Sequence, residues 1–433
     1  MTFDPVLRQS FDHIPLPVMY PAEVRFAAPE VRDLALAVYE SLQVSGILTQ
    51  VKPGMRIAIG VGSRGVARIP ELACATVNAV RQAGAEPFLI PAMGSHGGAT
   101  SEGQRQVLAD LGVTEDSVGA PIRTEMDVVE LGRLPEGVPV CMDRNAYAAD
   151  ATILINRIKP HTDFHGPIES GLAKMCVIGL GKVPTAEALH MHGPDGLRDL
   201  IVPAARIVVE RGRVLGGIAS IENAYHGVAE IVGVPAVDIG GVVEQALLQR
   251  SRELMAALPF DHLDVLVVDE MGKDISGTGM DTNVIGRMFL PGVPEPARPQ
   301  INAIATLSLT EATHGNAVGF GFADVVTERF FNQMDWRITR VNALTSGVLG
   351  LWRGKLPWVT PDDATAIRLA LRLCGWPYPE KARMMRIRNT LSLSQVWISQ
   401  ALLDAARATP HVTVAEQPIE WAFDAAGRLT ARL

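Results

Sequence analysis

The chain has 433 residues, of which 48% are hydrophobic and 20% are charged. The apolar fraction excludes a mainly disordered chain, and the length predicts two domains, because a single core stops growing at about 250–300 residues. The net charge of −8, with no run of basic residues, excludes a dedicated nucleic-acid-binding protein.

The same features predict a soluble, cytoplasmic protein. The four cysteines are far apart and form no CxxC pair, so we interpret them as small buried hydrophobic residues. The longest apolar stretches, such as residues 263–268, are far shorter than the ~18 residues that a membrane span requires. Residues 1–10 lack the apolar segment of a targeting sequence. A homo-oligomer is compatible with this composition.

Residues 55–93 predict a βαβ unit. A β-branched run at 55–60 indicates a strand, and apolar residues spaced three and four apart over 69–80 indicate a helix. Residues 87–93 indicate the next strand. Since two strands joined through a helix run parallel, this unit predicts a parallel sheet.

Further along the chain, helices and strands continue to alternate. Ser101 and Gln104 have capping-box spacing at the start of a helix predicted to end near residue 111. A helix is also predicted over 242–257. Further strands are predicted at 152–156, 214–221 and 263–268.

This alternation predicts an α/β protein of two α/β domains, with mainly parallel sheets and the active site in the interdomain cleft. Residues 1–258 are expected to form the first, catalytic domain. Residues 259–391 are expected to form the second domain. A helix is predicted over 392–408, and residues 392–433 either join the first domain or stand apart from it.

A glycine-rich turn follows the strand at 55–60. Gly60, Gly62 and Gly65 fit the spacing G-x-G-x-x-G between a strand and a helix. No suitable acid ends the following strand, so we favour a phosphate or carboxylate cradle over a dinucleotide site. Ser63 and Arg64 would direct a hydroxyl and a guanidinium at the anion. A tight turn with a surface arginine fits the same residues.

The loop over residues 93–100 places His96 among glycines and other small residues. An imidazole titrates near ~6.5, so it takes up or returns a proton at neutral pH. Although a single histidine is more often structural, the flanking glycines favour a general base here.

Residues 159–175 form the most unusual segment, with two histidines, two acids and two lysines. His161 and His165 are four residues apart, which on a helix would suit zinc, but nearby prolines and glycines leave no room for a helix. A zinc hydrolase that uses His161, His165 and Glu169 is therefore the second choice, kept as an alternative. Lys174 lies in an apolar run, where burial makes an amine nucleophilic, although its stem could also simply reach to solvent.

Two later loops add candidate groups. His190 and His192 would face opposite sides of a helix, so only one of them is expected to share a site with Lys174. The loop over 269–279 carries Lys273, which could supply a cation from across the cleft or could be an ordinary solvated lysine.

In this order, the residues resemble the nickel-dependent lactate racemase family. The resemblance covers roughly residues 55–290 and rests on these elements: Gly62-Ser63-Arg64, Gly94-Ser95-His96, Pro160-His161 followed by Gly171 and Lys174, the sixteen residues from Lys174 to His190, and Glu270 with Lys273.

The resemblance implies a nickel-pincer nucleotide, a nickel complex of pyridinium-3,5-bisthiocarboxylic acid mononucleotide, attached covalently to Lys174. It also implies nickel and dedicated cofactor-maturation proteins as partners. The implied cofactor-binding residues are Ser63, Arg64, Lys174, Glu270 and Lys273, with His190 as the metal ligand.

The implied activity is a racemase or epimerase of 2-hydroxy acids, with His96 and His161 as the two acid/base groups. The interval from His161 to Lys174 is thirteen residues, longer than usual in the family, and His165 lies within it as an alternative second base. Glu270 replaces an amide of the lactate-type pattern, which implies a sugar acid or a larger 2-hydroxy acid. A non-catalytic protein that binds nucleotides or organic anions is the remaining alternative.

Overall fold

A computed structural model of the chain describes residues 11–62, 65–290, 293–345, 347–431 and 433. Contacts between Cα atoms divide the chain into two compact units. Ala27–Met255 form the first unit, and Ala256–Leu433 form the second together with the described residues up to Phe26. The division thus falls three residues before the boundary expected after residue 258, and residues 392–433 belong to the second unit.

Fifteen strands are named here among the described residues. They are β1 (Met19–Val24), β2 (Arg56–Val61), β3 (Glu86–Pro91), β4 (Val128–Arg133), β5 (Pro139–Asp143), β6 (Ala151–Arg157), β7 (Val214–Glu222), β8 (Val228–Pro235), β9 (His262–Val268), β10 (Gln300–Thr306), β11 (Val325–Thr327), β12 (Trp358–Thr360), β13 (Met384–Asn389), β14 (Ser392–Ser399) and β15 (Val412–Val414).

The α-helices are α1 (Leu34–Val44), α2 (Ile69–Gln82), α3 (Ser101–Asp110), α4 (Glu115–Val118), α5 (Arg144–Ala148), α6 (Leu172–Lys174), α7 (Leu180–Met191), α8 (Gly193–Arg211), α9 (Val242–Leu254), α10 (Thr282–Ile285), α11 (Glu328–Gln333), α12 (Trp336–Thr345), α13 (Val348–Arg353), α14 (Asp363–Leu373) and α15 (Leu403–Ala408). A π-helix over Met175–Gly179 joins α6 to α7. Short 3₁₀ turns lie at Leu48–Gln50, Gly97–Ala99, Ala236–Asp238, Glu311–Thr313, Phe320–Phe322, Pro379–Lys381 and Gln400–Leu402.

The first unit is built on a five-stranded sheet in the order β3-β2-β6-β7-β8. The first four strands are parallel, and β8 pairs antiparallel with β7. The inner strands are apolar along nearly their whole length because helices cover both faces. The predicted βαβ unit is confirmed, since β2 and β3 are parallel neighbours joined through α2.

The second unit contains an eight-stranded sheet in the order β12-β11-β10-β9-β13-β14-β1-β15. Its first five strands are parallel, and the last three join antiparallel. The α/β class with mainly parallel sheets is therefore confirmed. None of the described helices combines the length and apolar character needed to cross a bilayer.

Two local predictions are wrong. The helix expected over residues 392–408 is instead β14, a 3₁₀ turn and the short helix α15. Val396, Trp397 and Ile398 have high strand propensity, and β14 gains ladder partners on both sides, which outweighs the helical spacing. The capping box at Ser101 is also absent, because Thr100 caps α3 by accepting a hydrogen bond from the Gly103 amide.

Candidate active site

The predicted site segments follow the carboxyl ends of three neighbouring parallel strands. The glycine turn follows β2, the His96 loop follows β3, and the segment with His161 and Lys174 follows β6. In the sheet, β3 and β6 lie on opposite sides of β2, so the connections diverge at this point. Open α/β sheets bind ligands at such a switch point. The fold thus gathers these segments at one edge.

The glycine turn contacts the beginning of the lysine-bearing helix. A Cβ atom on Gly62 would lie 3.1 Å from Oδ1 of Asn156 and 3.7 Å from Sδ of Met175, the residue after Lys174. Asn156 also donates from Nδ2 to the Gly171 carbonyl at 3.1 Å. A side chain at this position would therefore crowd Asn156, and glycine lets the turn approach this helix closely.

The two anion-binding residues predicted in this turn, Ser63 and Arg64, lie outside the described residues. Beyond them the turn is held from β7, where Glu222 accepts the Ala67 amide at 2.7 Å and pairs with Arg157 at 2.5 Å.

The helix α6 begins at a position that only glycine readily adopts. Gly171 has φ +110° and ψ −152°, and a Cβ there would lie 2.4 Å from Oε1 of Glu244. Glu244 is buried and accepts the Ala173 amide at 3.1 Å, so its carboxyl group holds the first turn of α6. Burial raises the pKa of Glu244, against the opposing effect of its backbone donors. This contact determines where the backbone of Lys174 lies.

Lys174 contacts His161 directly, with Nζ 2.7 Å from Nε2. The Asp163 amide donates to Nδ1 of the same ring at 3.0 Å, so Nδ1 carries no hydrogen. A neutral His161 ring therefore carries its hydrogen on Nε2 and directs it at Lys174. Because an ammonium has no lone pair to accept it, this geometry favours the uncharged amine.

The electrostatic surroundings of Lys174 act in the same direction. Burial lowers its pKa from 10.5 to about 8, against the raising effects of Asp163 and Glu169. About a tenth of the amine is then an uncharged nucleophile at pH 7, and about half of it at pH 8. The sequence left open whether this lysine is desolvated or reaches solvent, and the structure places it half-buried, in contact with His161.

Glu169 organises the loop between His161 and Lys174. Its fully buried carboxylate accepts the His161 amide at 2.7 Å and the Gly166 amide at 3.1 Å, and it pairs with Arg252 at 2.5 Å. His165 Nδ1 lies 3.1 Å from the same carboxylate. Burial alone would raise the pKa of Glu169, but the bonds from His165, His161 and Gly166 outweigh it and lower the pKa.

These contacts leave no ligand set for the zinc alternative. Glu169 is surrounded by donors, and both ring nitrogens of His161 already have partners. The ring of His165 is exposed and directs Nδ1 at Glu169. Within the described ranges, no three His, Cys, Asp or Glu side chains are placed to hold a metal ion.

The backbone from Lys174 to His190 is not one regular helix. A π-helix follows Lys174 directly, and α7 is broken at Lys182, whose φ is +49° and ψ −144°. π-Helical turns occur often at functional sites, where they redirect side chains. The sixteen-residue interval therefore does not translate into a fixed number of α-helical turns.

His190 has the hydrogen-bond arrangement of a metal-binding imidazole. Its Nδ1 lies 2.5 Å from the Ala186 carbonyl oxygen, which can only accept, so Nδ1 carries the hydrogen. Nε2 then has a free lone pair, and this exposed ring makes no other hydrogen bond within the described part of the chain. A metal-binding histidine is commonly oriented by such a bond from its other nitrogen.

The His96 loop packs against the same helical segment. The Gly94 amide donates to the Gly179 carbonyl at 3.3 Å. A Cβ on Gly94 would lie 3.2 Å from Cγ2 of Ile178 and 3.9 Å from Cβ of Ala186, the residue that orients His190. His96 itself is exposed. The structure therefore joins the loop of His96 to the helix of His190.

The remaining candidates, Glu270 and Lys273, belong to the second unit. Glu270 accepts from Arg388 at 2.9 Å and from Asn389 at 3.1 Å, so its charge is paired. Lys273 donates from Nζ to the Gly277 carbonyl at 2.8 Å. Their roles stay predictions.

Sequence reasoning missed Glu244 and the buried pair of Lys182 and Asp143. Glu244 has no local signal, because it lies on the distant helix α9. Lys182 ends the run Gly179-Leu180-Gly181-Lys182, and a charged residue after small apolar ones was the available indication.

One comparison with known protein families covers the part of the chain that carries most of the predicted site residues. The family model described as the lactate racemase N-terminal domain matches residues 25–194, which include His96, His161, Lys174 and His190. No curated protein sequence gives a significant match.

Among solved structures, the lactate racemase apoprotein from Thermoanaerobacterium thermosaccharolyticum is similar, with a TM-score of 0.53 and 13% sequence identity. The match covers 86% of this chain and 94% of that chain. This likeness shows a shared fold, in agreement with the mainly parallel sheets described above. Residues 25–194 are therefore similar to the N-terminal domain of lactate racemases.

Proposed function

We propose that this chain is a racemase or epimerase of 2-hydroxy acids that carries a nickel-pincer nucleotide on Lys174. The contact between Lys174 Nζ and His161 Nε2 is the observation that carries the proposal. It directs a ring hydrogen at the amine and so favours the uncharged form at the position where the resemblance implies a covalent attachment. A solvated surface lysine would not need such a partner.

The residues present fit this group. Lys174 offers a nucleophilic amine with a pKa of about 8, and His190 offers the lone pair of Nε2 on a ring held by the Ala186 carbonyl. His190 would be the protein ligand to nickel, because a neutral imidazole suits that metal. When bound, the group would supply the hydride acceptor that protein side chains lack.

The histidines of the chain would move the hydroxyl proton of the substrate. Inverting a carbinol carbon requires its hydrogen to leave and return on the opposite face, and one acid/base group per face deprotonates and reprotonates the hydroxyl. His96 is exposed on its loop for one face. For the other, His161 is held by the Asp163 amide, and His165 is held by Glu169.

The substrate is expected to be a 2-hydroxy acid larger than lactate or a sugar acid. An isolated carboxylate at Glu270 would repel a substrate carboxylate. The expectation rests on the resemblance, whose lactate-type pattern has an amide at the position of Glu270; in this chain the carboxylate accepts hydrogen bonds from Arg388 and Asn389.

The test is to co-express the chain with lactate racemase cofactor-maturation proteins, then measure intact mass and nickel content. We expect a mass adduct that maps to Lys174, about one nickel per chain, and interconversion of enantiomers in a panel of 2-hydroxy acids followed by chiral chromatography. Lys174→Arg should lose the adduct, whereas the exposed Lys52→Arg should keep it.

His190 and His192 provide a matched pair for the metal. His190→Gln should keep the adduct and lose nickel, whereas His192→Gln should keep both. If the wild-type chain carries neither adduct nor nickel under these conditions, the proposal is wrong. Nucleotide binding without turnover would then favour the non-catalytic alternative, and stoichiometric zinc would favour the hydrolase.

A further inference from the structure

Lys182 is a completely buried lysine inside the first unit. Its Nζ lies 3.0 Å from Oδ2 of Asp143, 3.3 Å from Oε1 of Gln104 and 3.5 Å from the Pro91 carbonyl oxygen. A buried ammonium is strongly unfavourable unless such oxygens surround it. The side chain is therefore held at one point by three segments of the chain.

The side chain of Gln104 links Lys182 to the His96 loop through hydrogen bonds. Its Oε1 faces Lys182, and because a lysine can only donate, the side-chain amide has only one workable orientation. Nε2 then donates to the Gly94 carbonyl at 2.9 Å and to the His96 carbonyl at 3.3 Å. A continuous hydrogen-bonded path thus leads from α7 through α3 to the backbone of His96.

The backbone of Lys182 is in an unusual conformation. Its φ of +49° with ψ −144° interrupts α7, and few residues other than glycine adopt positive φ. A glycine would meet the need for a break. Since the chain places a charged, buried side chain there, the side chain itself has a role.

The loop is also held from the side. A Cβ on Gly97 would lie 2.5 Å from the Gly103 carbonyl carbon, and one on Gly103 would lie 1.8 Å from the Gly97 oxygen. This close backbone contact leaves the loop little space against α3. The position of the loop along α3 is then set by the hydrogen bonds from Gln104 to the carbonyls of Gly94 and His96.

We infer that Lys182 and Gln104 are positioning residues that hold the His96 loop against the helix carrying His190. Lys182 orients Gln104, Gln104 binds two carbonyls of the loop, and the exposed imidazole projects from a fixed backbone. The inference rests on the proposed function, which gives His96 its role in proton transfer. The positioning itself is measurable without cofactor or turnover.

Amide hydrogen exchange of the cofactor-free chain tests the positioning. Gln104→Leu should speed exchange at His96, Ala99 and Thr100 by about tenfold, since the two bonds to the loop are lost. Gln106→Leu is the matched control, because Gln106 lies on the same helix and its side-chain amide donates to Asp110 rather than to the loop. Unchanged exchange in Gln104→Leu would overturn the inference, whatever the activity proves to be.

Gln104→Glu is the second variant, for the case that leucine disturbs folding. The carboxylate still accepts from Lys182 but cannot donate to the loop, so faster exchange is again expected. Lys182→Met combined with Asp143→Asn removes both buried charges together and should loosen the same amides. If that double variant leaves exchange unchanged, the part assigned to Lys182 is wrong.

The loaded enzyme separates positioning from general stability. We expect Gln104→Leu to lower kcat by about 10- to 100-fold with KM unchanged, because substrate binding remains while His96 is misplaced. An increase in KM with unchanged kcat would contradict the inference. Activity absent in the wild type, with exchange altered as expected, would count against the proposed function alone.

Discussion

Two histidines of the site have their tautomers determined by backbone groups. The Asp163 amide makes Nδ1 of His161 an acceptor, and the Ala186 carbonyl makes Nδ1 of His190 a donor. His161 therefore presents a hydrogen on Nε2, whereas His190 presents a lone pair. The two rings thus present opposite groups at Nε2, as the proposed roles in proton transfer and in metal binding require.

The pKa of Lys174 leads to a prediction about its reactivity. Burial lowers this pKa to about 8, so labelling by an amine-reactive anhydride should reach half its maximal rate near pH 8 in the folded protein. In the urea-unfolded chain the midpoint should return to about 10.5. Mass spectrometry of the peptide that contains Lys174 measures both midpoints. A folded-state midpoint near 10 would contradict the prediction.

Glu169 leads to a prediction about stability and pH. Because its pKa is lowered in the fold, its contribution is complete above about 4.5 and is lost as the pH falls through the lower folded value. Glu169→Gln should lower the free energy of unfolding by about 1–3 kcal/mol at pH 7, with a smaller difference in acid. Urea unfolding at both pH values measures this, with the exposed Glu210→Gln as the control. A difference independent of pH would contradict it.

At the scale of elements, the segment from α6 to α7 depends on interruptions in its helix. Gly171 starts it in a glycine conformation, the π-helix follows Lys174, and Lys182 breaks α7. In a regular α-helix each residue is rotated about the helix axis by the same angle, so the spacing from Lys174 to His190 alone would set the relative directions of their side chains. The interruptions let distant groups, such as Glu244, determine where each side chain lies.

Gly171→Ala tests this dependence. The added Cβ would lie 2.4 Å from Glu244 Oε1 at φ +110°, so a loss of about 2–5 kcal/mol in the free energy of unfolding is expected. Gly137→Ala is the control, because Gly137 has φ +85° with nothing within 4 Å, and about 1–2 kcal/mol is expected there. Equal effects of the two substitutions would show that the contact with Glu244 does not matter.

At the scale of the whole molecule, the two units can be followed separately. All six tryptophans lie in the second unit, so their fluorescence reports that unit, whereas circular dichroism reports both. Urea unfolding of Gly171→Ala should therefore shift the dichroism transition and leave the fluorescence transition unchanged.

Strand β1 gives the opposite prediction. It lies between β14 and β15, and Ala22 is paired with Val396 on one side and Val414 on the other. Ala22→Pro should lower the free energy of unfolding by roughly 2–4 kcal/mol in the fluorescence transition, since proline removes a ladder donor. Ala27→Pro, outside the strand, should have little effect. An unchanged fluorescence transition for Ala22→Pro would contradict the sheet order described here.

Much of the fold was predictable from local pattern. The period of apolar residues located β2, α2, β6 and β9 to within a few residues, because a buried strand and an amphipathic helix impose their own spacing. The pattern was wrong at β14, where pairing with strands far away in sequence decides the structure. It could not place β1 in the second unit either, since that pairing joins residues almost four hundred positions apart.

The order of Gly62, His96, His161, Lys174 and His190 is a property of the sequence alone, and it was enough to indicate the family. The amino-acid types also determined which chemistry is available. The positions of these residues after predicted strands indicated that they lie at the carboxyl ends of a parallel sheet. Only the tertiary structure decided which nitrogen of each ring carries a hydrogen, and that Lys174 contacts His161. It alone showed that Glu244 contacts the first turn of α6 and that Lys182 is buried against Asp143 and Gln104. These properties arise from contacts between segments distant in the chain, and local spacing contains no information about them.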